Sequence, residues 1–208
     1  MPWAFLPFYR IEAEYNVGTY KFFDPTIDLR GYLRAAPVTF AARLYGYARF
    51  GDANGLYPLY VGYPFLIRGY EAQTFYNGNG KPSNGFTIDQ LSGSRIAVAS
   101  FEVRLPFTGP EKLAQIKSKF FFSDLNVFFD AGLAWNHGDQ IDLTRTTPNI
   151  IGTDAQGGPI QRVPALSTGI SLRVNIFGAF ILEPYLAIPF NRDDVNKPVF
   201  GLGFTPGW

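Results

Sequence analysis

Polar and apolar residues alternate with a period of two along most of the chain, a rhythm that predicts β-strands. In Tyr9-Arg10-Ile11-Glu12-Ala13-Glu14-Tyr15 every even position is charged and every odd one apolar or aromatic. From Thr26 to Arg34, Asp28, Arg30, Tyr32 and Arg34 alternate with Ile27, Leu29, Gly31 and Leu33. Between Phe40 and Phe50, Arg43, Tyr45, Tyr47 and Arg49 oppose Phe40, Ala42, Leu44, Gly46, Ala48 and Phe50. The pattern recurs in Ala99–Phe107, Leu125–Ala131, Ser167–Asn175, Ile181–Ile188 and Phe200–Phe204, giving eight strands in all. Each spans roughly ten residues, the length of a tilted strand that crosses a bilayer. Pro110–Lys117 is the one candidate for a helix, of about two turns.

The connections alternate in length. Short ones fall at Ala35–Pro37 and Ile176–Gly178, and a medium one at Thr108–Lys117. Long ones fall at Asn16–Asp24, Gly51–Ser94, Leu133–Pro164 and Asn191–Lys197. Short turns at one end and long loops at the other are the habit of outer-membrane barrels. The expected fold is therefore all-β: a transmembrane, antiparallel, up-and-down β-barrel with both termini on the periplasmic side, occupying residues 1–208 as one domain.

Composition agrees. The chain holds 22 Gly and 16 Pro among 208 residues, too many helix breakers for long helices. No segment approaches the ~18 apolar residues of a membrane helix. Met1-Pro2-Trp3-Ala4-Phe5 lacks the basic start and apolar core of a signal peptide, so either a signal has been removed or the sequence is part of a longer chain. A formal net charge of +1 gives no electrostatic case for nucleic acid as a partner. The absence of Cys excludes disulfides and thiolate metal sites, and a single histidine, His137, excludes a two-histidine metal site.

Alternation alone does not say which face is wet. A soluble, lipocalin-like barrel would turn its apolar face inward and its charges outward. Three features favour lipid on the apolar side. The strands carry Arg, Glu and Asp but no Lys, and Arg suits crowded, hydrogen-bonded interiors. Aromatic residues gather at strand ends, among them Trp3, Phe8, Tyr15, Tyr20, Phe22, Phe107, Phe120, Trp135 and Phe190, where interfacial girdles sit. The chain also ends on an aromatic residue, Trp208, just after a strand. The inward set is then Arg10, Arg30, Arg34, Arg43, Arg49, Arg104 and Arg173 against Glu12, Glu14, Asp28, Glu102, Asp130 and Glu183. So balanced a set describes an ion-paired plug better than a selective channel.

Several segments together resemble the carboxy-terminal half of the BamA/TamA superfamily of outer-membrane assembly and translocation barrels, also called the bacterial surface antigen family. Leu66-Ile67-Arg68-Gly69-Tyr70, in the loop from residue 51 to 94, is similar to the V-R-G-F/Y tip of that family's inserted extracellular loop. Ala99-Ser100-Phe101-Glu102-Val103-Arg104-Leu105-Pro106-Phe107 resembles its L-E-x-R-F-P-L strand. Phe128-Phe129-Asp130-Ala131-Gly132-Leu133-Ala134-Trp135 resembles its F-x-D-x-G-x-x-W strand. The final run, with Phe200, Leu202, Phe204 and Trp208, is similar to the insertion signal that closes outer-membrane proteins, although Pro206 is unusual there and suggests an edge or fraying strand.

The resemblance implies that Arg68 enters the lumen and pairs with Glu102 and Asp130, that Gly69 permits the tight tip beside Tyr70, and that this contact locks the loop. It also implies a role at the bacterial outer membrane in inserting or translocating proteins, by strand pairing and without enzymatic chemistry or a cofactor. Outer-membrane lipid is the expected surrounding, and outer-membrane protein substrates, a periplasmic domain or a second copy are the expected partners. Family members have sixteen strands and periplasmic POTRA domains, whereas eight strands and no POTRA sequence are present here. A passive eight-stranded anchor for a periplasmic domain or partner is the alternative.

Other chemistry is poorly served. Catalysis by a Ser–His–acid set would need a serine within reach of His137, and no strand supplies one. Asp139, Asp142 and Asp154 share a loop, but their spacing matches no calcium loop. The aromatic run Tyr57–Tyr76 is expected to pack inside the lumen rather than to bind a glycan.

Overall fold

The structure is a computed structural model, and it describes residues 3–52, 56–75, 88–112, 114–119, 121–141, 143, 152–153, 159–160, 162–192 and 198–206. Eight long strands dominate it: β1 (Trp3–Asn16), β2 (Phe22–Ala35), β3 (Val38–Ala48), β4 (Arg95–Gly109), β5 (Phe122–Trp135), β6 (Ala165–Ile176), β7 (Phe180–Pro189) and β8 (Val199–Pro206). They pair in sequence order and antiparallel throughout, the up-and-down meander that the alternation predicts.

Among the described residues β1 pairs only along its β2 side and β8 only with β7, so the sheet curls without the two edges meeting. β1 is exposed on both faces. Leu6, which points to the same side as the charged residues, is 65% exposed.

The helix expected over Pro110–Lys117 does not form. Residues 110–112 turn, and Ile116–Lys117 lies parallel to Thr108–Gly109 as a short bridge. Gly109 and Pro110 stand at its start, and eight residues are too few for a helix to nucleate cheaply. Among the described residues the only helical segments are two single 3₁₀ turns, Ala72–Phe75 and Ile88–Leu91, both in the long connection between β3 and β4.

The strands reach further than their alternating cores. β4 begins at Arg95 and β5 ends at Trp135, and in these extensions the inward residues are apolar: Ile96, Val98, Gly132 and Ala134. The reason is the β3–β4 loop, which folds back onto them. Val61, Leu66, Ile67, Tyr70, Phe75 and Leu91 of the loop form one core with Ile96, Val98, Ala134, Val163 and Ala165. The inner surface therefore has two zones. At the long-loop end it is a hydrophobic seat, and below that it carries the charged rows. The aromatic expectations need one correction: Phe8 and Phe22 belong to the inner face, under the guanidinium groups of Arg30 and Arg49 at 5.1 and 5.5 Å from the ring centres. An aromatic ring there offers its negative face to a cation. Phe120 lies outside the described residues.

Close packing inside the sheet depends on small residues in β6. A Cβ on Gly169 would collide with the carbonyl oxygen of Leu186 and come within 2.6 Å of the Phe128 ring. A Cβ on Gly203, by contrast, would meet Glu183 at an ordinary 3.5 Å. Gly169→Ala should therefore lower stability by about 1–3 kcal/mol, the usual cost of overpacking. Gly203→Ala should change it by less than about 0.5 kcal/mol. Thermal unfolding in detergent, followed by heat-modifiable gel mobility, checks both; equal midpoints for the two variants would contradict the packing.

Candidate functional site

The inserted loop delivers Arg68 to the boundary between the apolar seat and the charged rows. Backbone geometry directs it there. Gly69 adopts a positive φ of 89°, and a Cβ at that position would stand 2.9 Å from the Cβ of Ala187, so the tip turns where only glycine fits. The side chains of Ile67 and Tyr70 on either side are completely buried.

Arg68 is 5% exposed. Its Nε and Nη2 donate to the two oxygens of Asp130, both at 2.8 Å, and its backbone N–H reaches Asp130 Oδ2 at 3.2 Å. Nη2 also lies 2.9 Å from Glu102 Oε1, and Nη1 donates to Glu183 Oε1 at 2.8 Å. The guanidinium carbon sits 3.6 Å above the centre of the Phe128 ring, which Tyr185 meets edge-on. The family resemblance implies Glu102 and Asp130 as partners of Arg68; the structure places both there and adds Glu183 from β7, two strands beyond Asp130. Only the curvature of the sheet, and the small Ser167, Gly169 and Ser171 on the intervening strand, let one guanidinium span that distance. Ser171 then helps to fix Glu183, donating to Oε1 at 2.7 Å.

Three carboxylates around one guanidinium would leave excess negative charge in a buried site. Arg104 and Arg173 offset it. Arg104 Nη2 lies 2.5 Å from Glu102 Oε2, and Arg173 Nη1 lies 3.2 Å from Glu183 Oε2 and 3.8 Å from Glu102 Oε2. Arg68, Arg104 and Arg173 thus balance Glu102, Asp130 and Glu183. A separate group on β2 and β3 has Arg30 and Arg43 gripping Asp28, with Arg43 Nη1 also donating to the loop carbonyl of Phe65 at 2.9 Å. Below the loop a cavity of about 580 Å³ opens between these two groups.

Beside Arg68, the Tyr70 hydroxyl donates to Leu166 O at 2.9 Å. Glu71 is buried as well. Its Oε1 accepts from the Gly69 N–H at 3.0 Å and from the Tyr185 hydroxyl. Burial pushes its carboxyl above the usual carboxylate range, against the opposing pull of the Gly69 N–H, the backbone N–H of Glu71 itself and Arg192.

The remaining candidates separate. Phe200, Leu202 and Phe204 all project from the outer face of β8 and are exposed, whereas Trp208 lies outside the described residues. His137 lies with Nδ1 3.3 Å from Arg95 Nη2. Asp139 pairs with Arg162 at 2.8 Å, and Asp142 and Asp154 lie outside the described residues. No group of three metal-ligating side chains occurs among the described residues. The aromatic run splits: Tyr60, Tyr70 and Phe75 pack in the lumen, while Tyr57, Tyr63 and Phe65 are exposed, and Tyr76 lies outside the described residues. Two residues that hold the loop, Arg162 and Arg192, escape sequence reasoning because they sit in connections with no periodicity to give them a direction.

An up-and-down sheet with an apolar outer face, a charge-balanced interior and an arginine-tipped loop folded inside defines a β-barrel domain of the kind whose strands cross a membrane. The chain belongs to the Omp85 superfamily, whose domain model matches residues 10–207. Domains of this superfamily are outer-membrane barrels, and its members are non-enzymatic assembly and transport proteins. No curated protein matches the chain.

Removing one partner of a buried ion pair strands the others, at a typical cost of about 3–5 kcal/mol. Arg68→Ala should show a loss of that size in urea unfolding from detergent. Arg68→Lys should recover little of it, since an ammonium cannot serve Asp130 in two-pronged fashion and still reach Glu102 and Glu183. An unchanged unfolding midpoint in Arg68→Ala would refute the energetic role.

A second prediction concerns Glu71. Its folded-state pKa is raised above 4.5, so the folded chain holds this proton more tightly than the unfolded one. Its contribution is fully present below pH 4.5 and is lost as pH rises through the folded-state value. Glu71→Gln should flatten that part of the stability–pH profile, and a profile of unaltered slope would contradict it.

Proposed function

We propose that the protein works in the bacterial outer membrane in the insertion or translocation of outer-membrane proteins, by pairing their strands with its own sheet edge. The observation that carries this reading is β1. It offers fourteen residues of strand whose outer edge, among the described residues, carries no partner along its length and whose two faces are both exposed. An unpaired row of backbone N–H and C=O groups is a template for another strand. In lipid such an edge has to find a partner, because unsatisfied backbone groups there cost several kcal/mol each. Membership of a superfamily of assembly and transport barrels supports the same reading. The described site offers hydrogen bonding and ion pairing and needs no covalent step.

The passive-anchor reading is favoured by one observation. The interior charges are paired with one another around Arg68, as in a sealed support. The two readings differ in a reconstituted system. Vesicles holding the full-length native protein should speed the folding of a urea-denatured outer-membrane barrel, scored by its heat-modifiable mobility, over protein-free vesicles. Equal rates with and without the protein would leave the anchor and defeat the assembly reading.

A further inference from the structure

Arg68 fastens the loop to the wall, but a second buried arginine grips the far side of its tip. Arg192 stands on the connection that follows β7 and is 3% exposed. Its Nη1 donates to Thr74 Oγ1 at 2.5 Å and lies 3.4 Å from the Gly69 carbonyl oxygen. Its Nη2 donates to Thr74 O at 2.6 Å, and the guanidinium carbon sits 4.1 Å from the centre of the Phe75 ring. The preceding residue joins in. Asn191 donates its backbone N–H to the Tyr70 hydroxyl at 3.3 Å, and its Oδ1 accepts the Leu166 N–H at 3.1 Å.

These acceptors are not free surface groups. The Gly69 and Thr74 carbonyls point at Arg192 only while the chain holds the positive φ at Gly69 and the 3₁₀ turn at Ala72–Phe75. Arg192 therefore recognises the folded tip, and it does so from the connection that joins the two strands of the edge hairpin. β8 is eight residues long and, among the described residues, pairs with β7 alone, so β8 is the part of this edge with fewest bonds to the rest of the sheet. Arg68 also reaches β7 through Glu183, but its other two partners, Glu102 and Asp130, sit on β4 and β5, away from this edge.

We propose that Arg192 is a latch that ties the tip of the inserted loop to the β7–β8 hairpin, so that release of the tip and loosening of the β8 edge occur together. β8 is the end of the sheet opposite β1, and the latch bears on the proposed assembly function through this second edge; to that extent it rests on that function. As a positioning residue it acts through Gly69, Thr74 and Phe75.

Hydrogen exchange of the full-length native protein in nanodiscs, read by mass spectrometry, tests it. Arg192→Ala should raise exchange across residues 69–75 by about tenfold and raise it also in 199–206, while 122–135 stays protected. Arg192→Lys keeps a cation over Phe75 but loses the forked grip, and should fall between the two. Unchanged exchange at 69–75 would overturn the latch, and a rise confined to 69–75 would overturn its coupling to the edge. Should Arg192→Ala fail to fold, Thr74→Val removes one acceptor from the loop side and should give a smaller rise at 69–75; no rise there would also overturn the proposal. The assembly reading fails separately. Raised exchange at both segments with an unaltered rate of barrel insertion would keep the latch and count against that reading.

Discussion

A guanidinium sealed inside a protein has to be answered by anions, and the rest of this structure is arranged around that demand. Taking Arg68 out of water costs several kcal/mol unless geometry and hydrogen bonds return it. Asp130 returns part of it through a two-pronged contact, Glu102 and Glu183 complete the shell, and Arg104 and Arg173 keep the acids from repelling one another. Because those acids lie on β4, β5 and β7, the contact can form only when the strands are in register and curved by the right amount. A one-residue slip in any of them would turn its acid to the outer face. The ion cluster thus specifies one arrangement of the wall more sharply than apolar contacts of similar strength would, since hydrophobic surfaces tolerate sliding.

The loop that carries Arg68 explains why the inner face is divided. Covering Ile96, Val98, Ala134 and Ala165 with Val61, Leu66, Ile67 and Tyr70 buries apolar surface on both partners, the ordinary hydrophobic driving force. The arginine extends past this seat into the charged rows, so one segment satisfies both zones. Charged groups then finish what hydrophobic burial cannot, by fixing the loop backbone: Arg43 holds the Phe65 carbonyl, Arg162 those of Asp89 and Ser92, and Arg192 that of Thr74. Arginine suits this task because its several N–H groups fork toward more than one acceptor at once.

What could be read from the sequence follows from what alternation encodes. A period of two fixes which side of a strand each residue takes, so the eight strands and the shared facing of Glu102 and Asp130 follow from residue order. Alternation carries no information about curvature. Glu183 was legible as an inward acid on its strand, but its approach to Arg68 depends on the bend of β6 and the small Ser167, Gly169 and Ser171 along it. The apolar inner ends of β4 and β5 were hidden for another reason: Ile96, Val98 and Ala134 break the polar–apolar alternation, and nothing in residue order says which loop covers them. Phe8 and Phe22 show the limit of composition. An aromatic at a strand end is consistent with a girdle, yet opposite Arg30 or beside Arg49 the inner face gives it a cation to cover. Arg162 and Arg192 lie in irregular connections, where sequence position assigns no direction at all.

Ion pairing also grades across the sheet. At the β1 edge the side chains of Arg10 and Glu12 pair while 57% and 52% exposed; one strand in, the Arg30 side chain is 30% exposed; at the centre the side chains of Arg68 and Asp130 are 6% and 1% exposed. Exposed pairs are weakened by water and salt, and buried ones are costly to break. The same chemistry therefore makes a wall that is firm around β4 and β5 and yielding at β1. The proposed function, in which the sheet offers an edge to another strand, needs both properties. The edge has to exchange its partners without a large barrier, and the strands behind it have to keep their register while it does so. Placing the buried cluster three strands in from β1, and fastening the loop to it, separates the two demands in space.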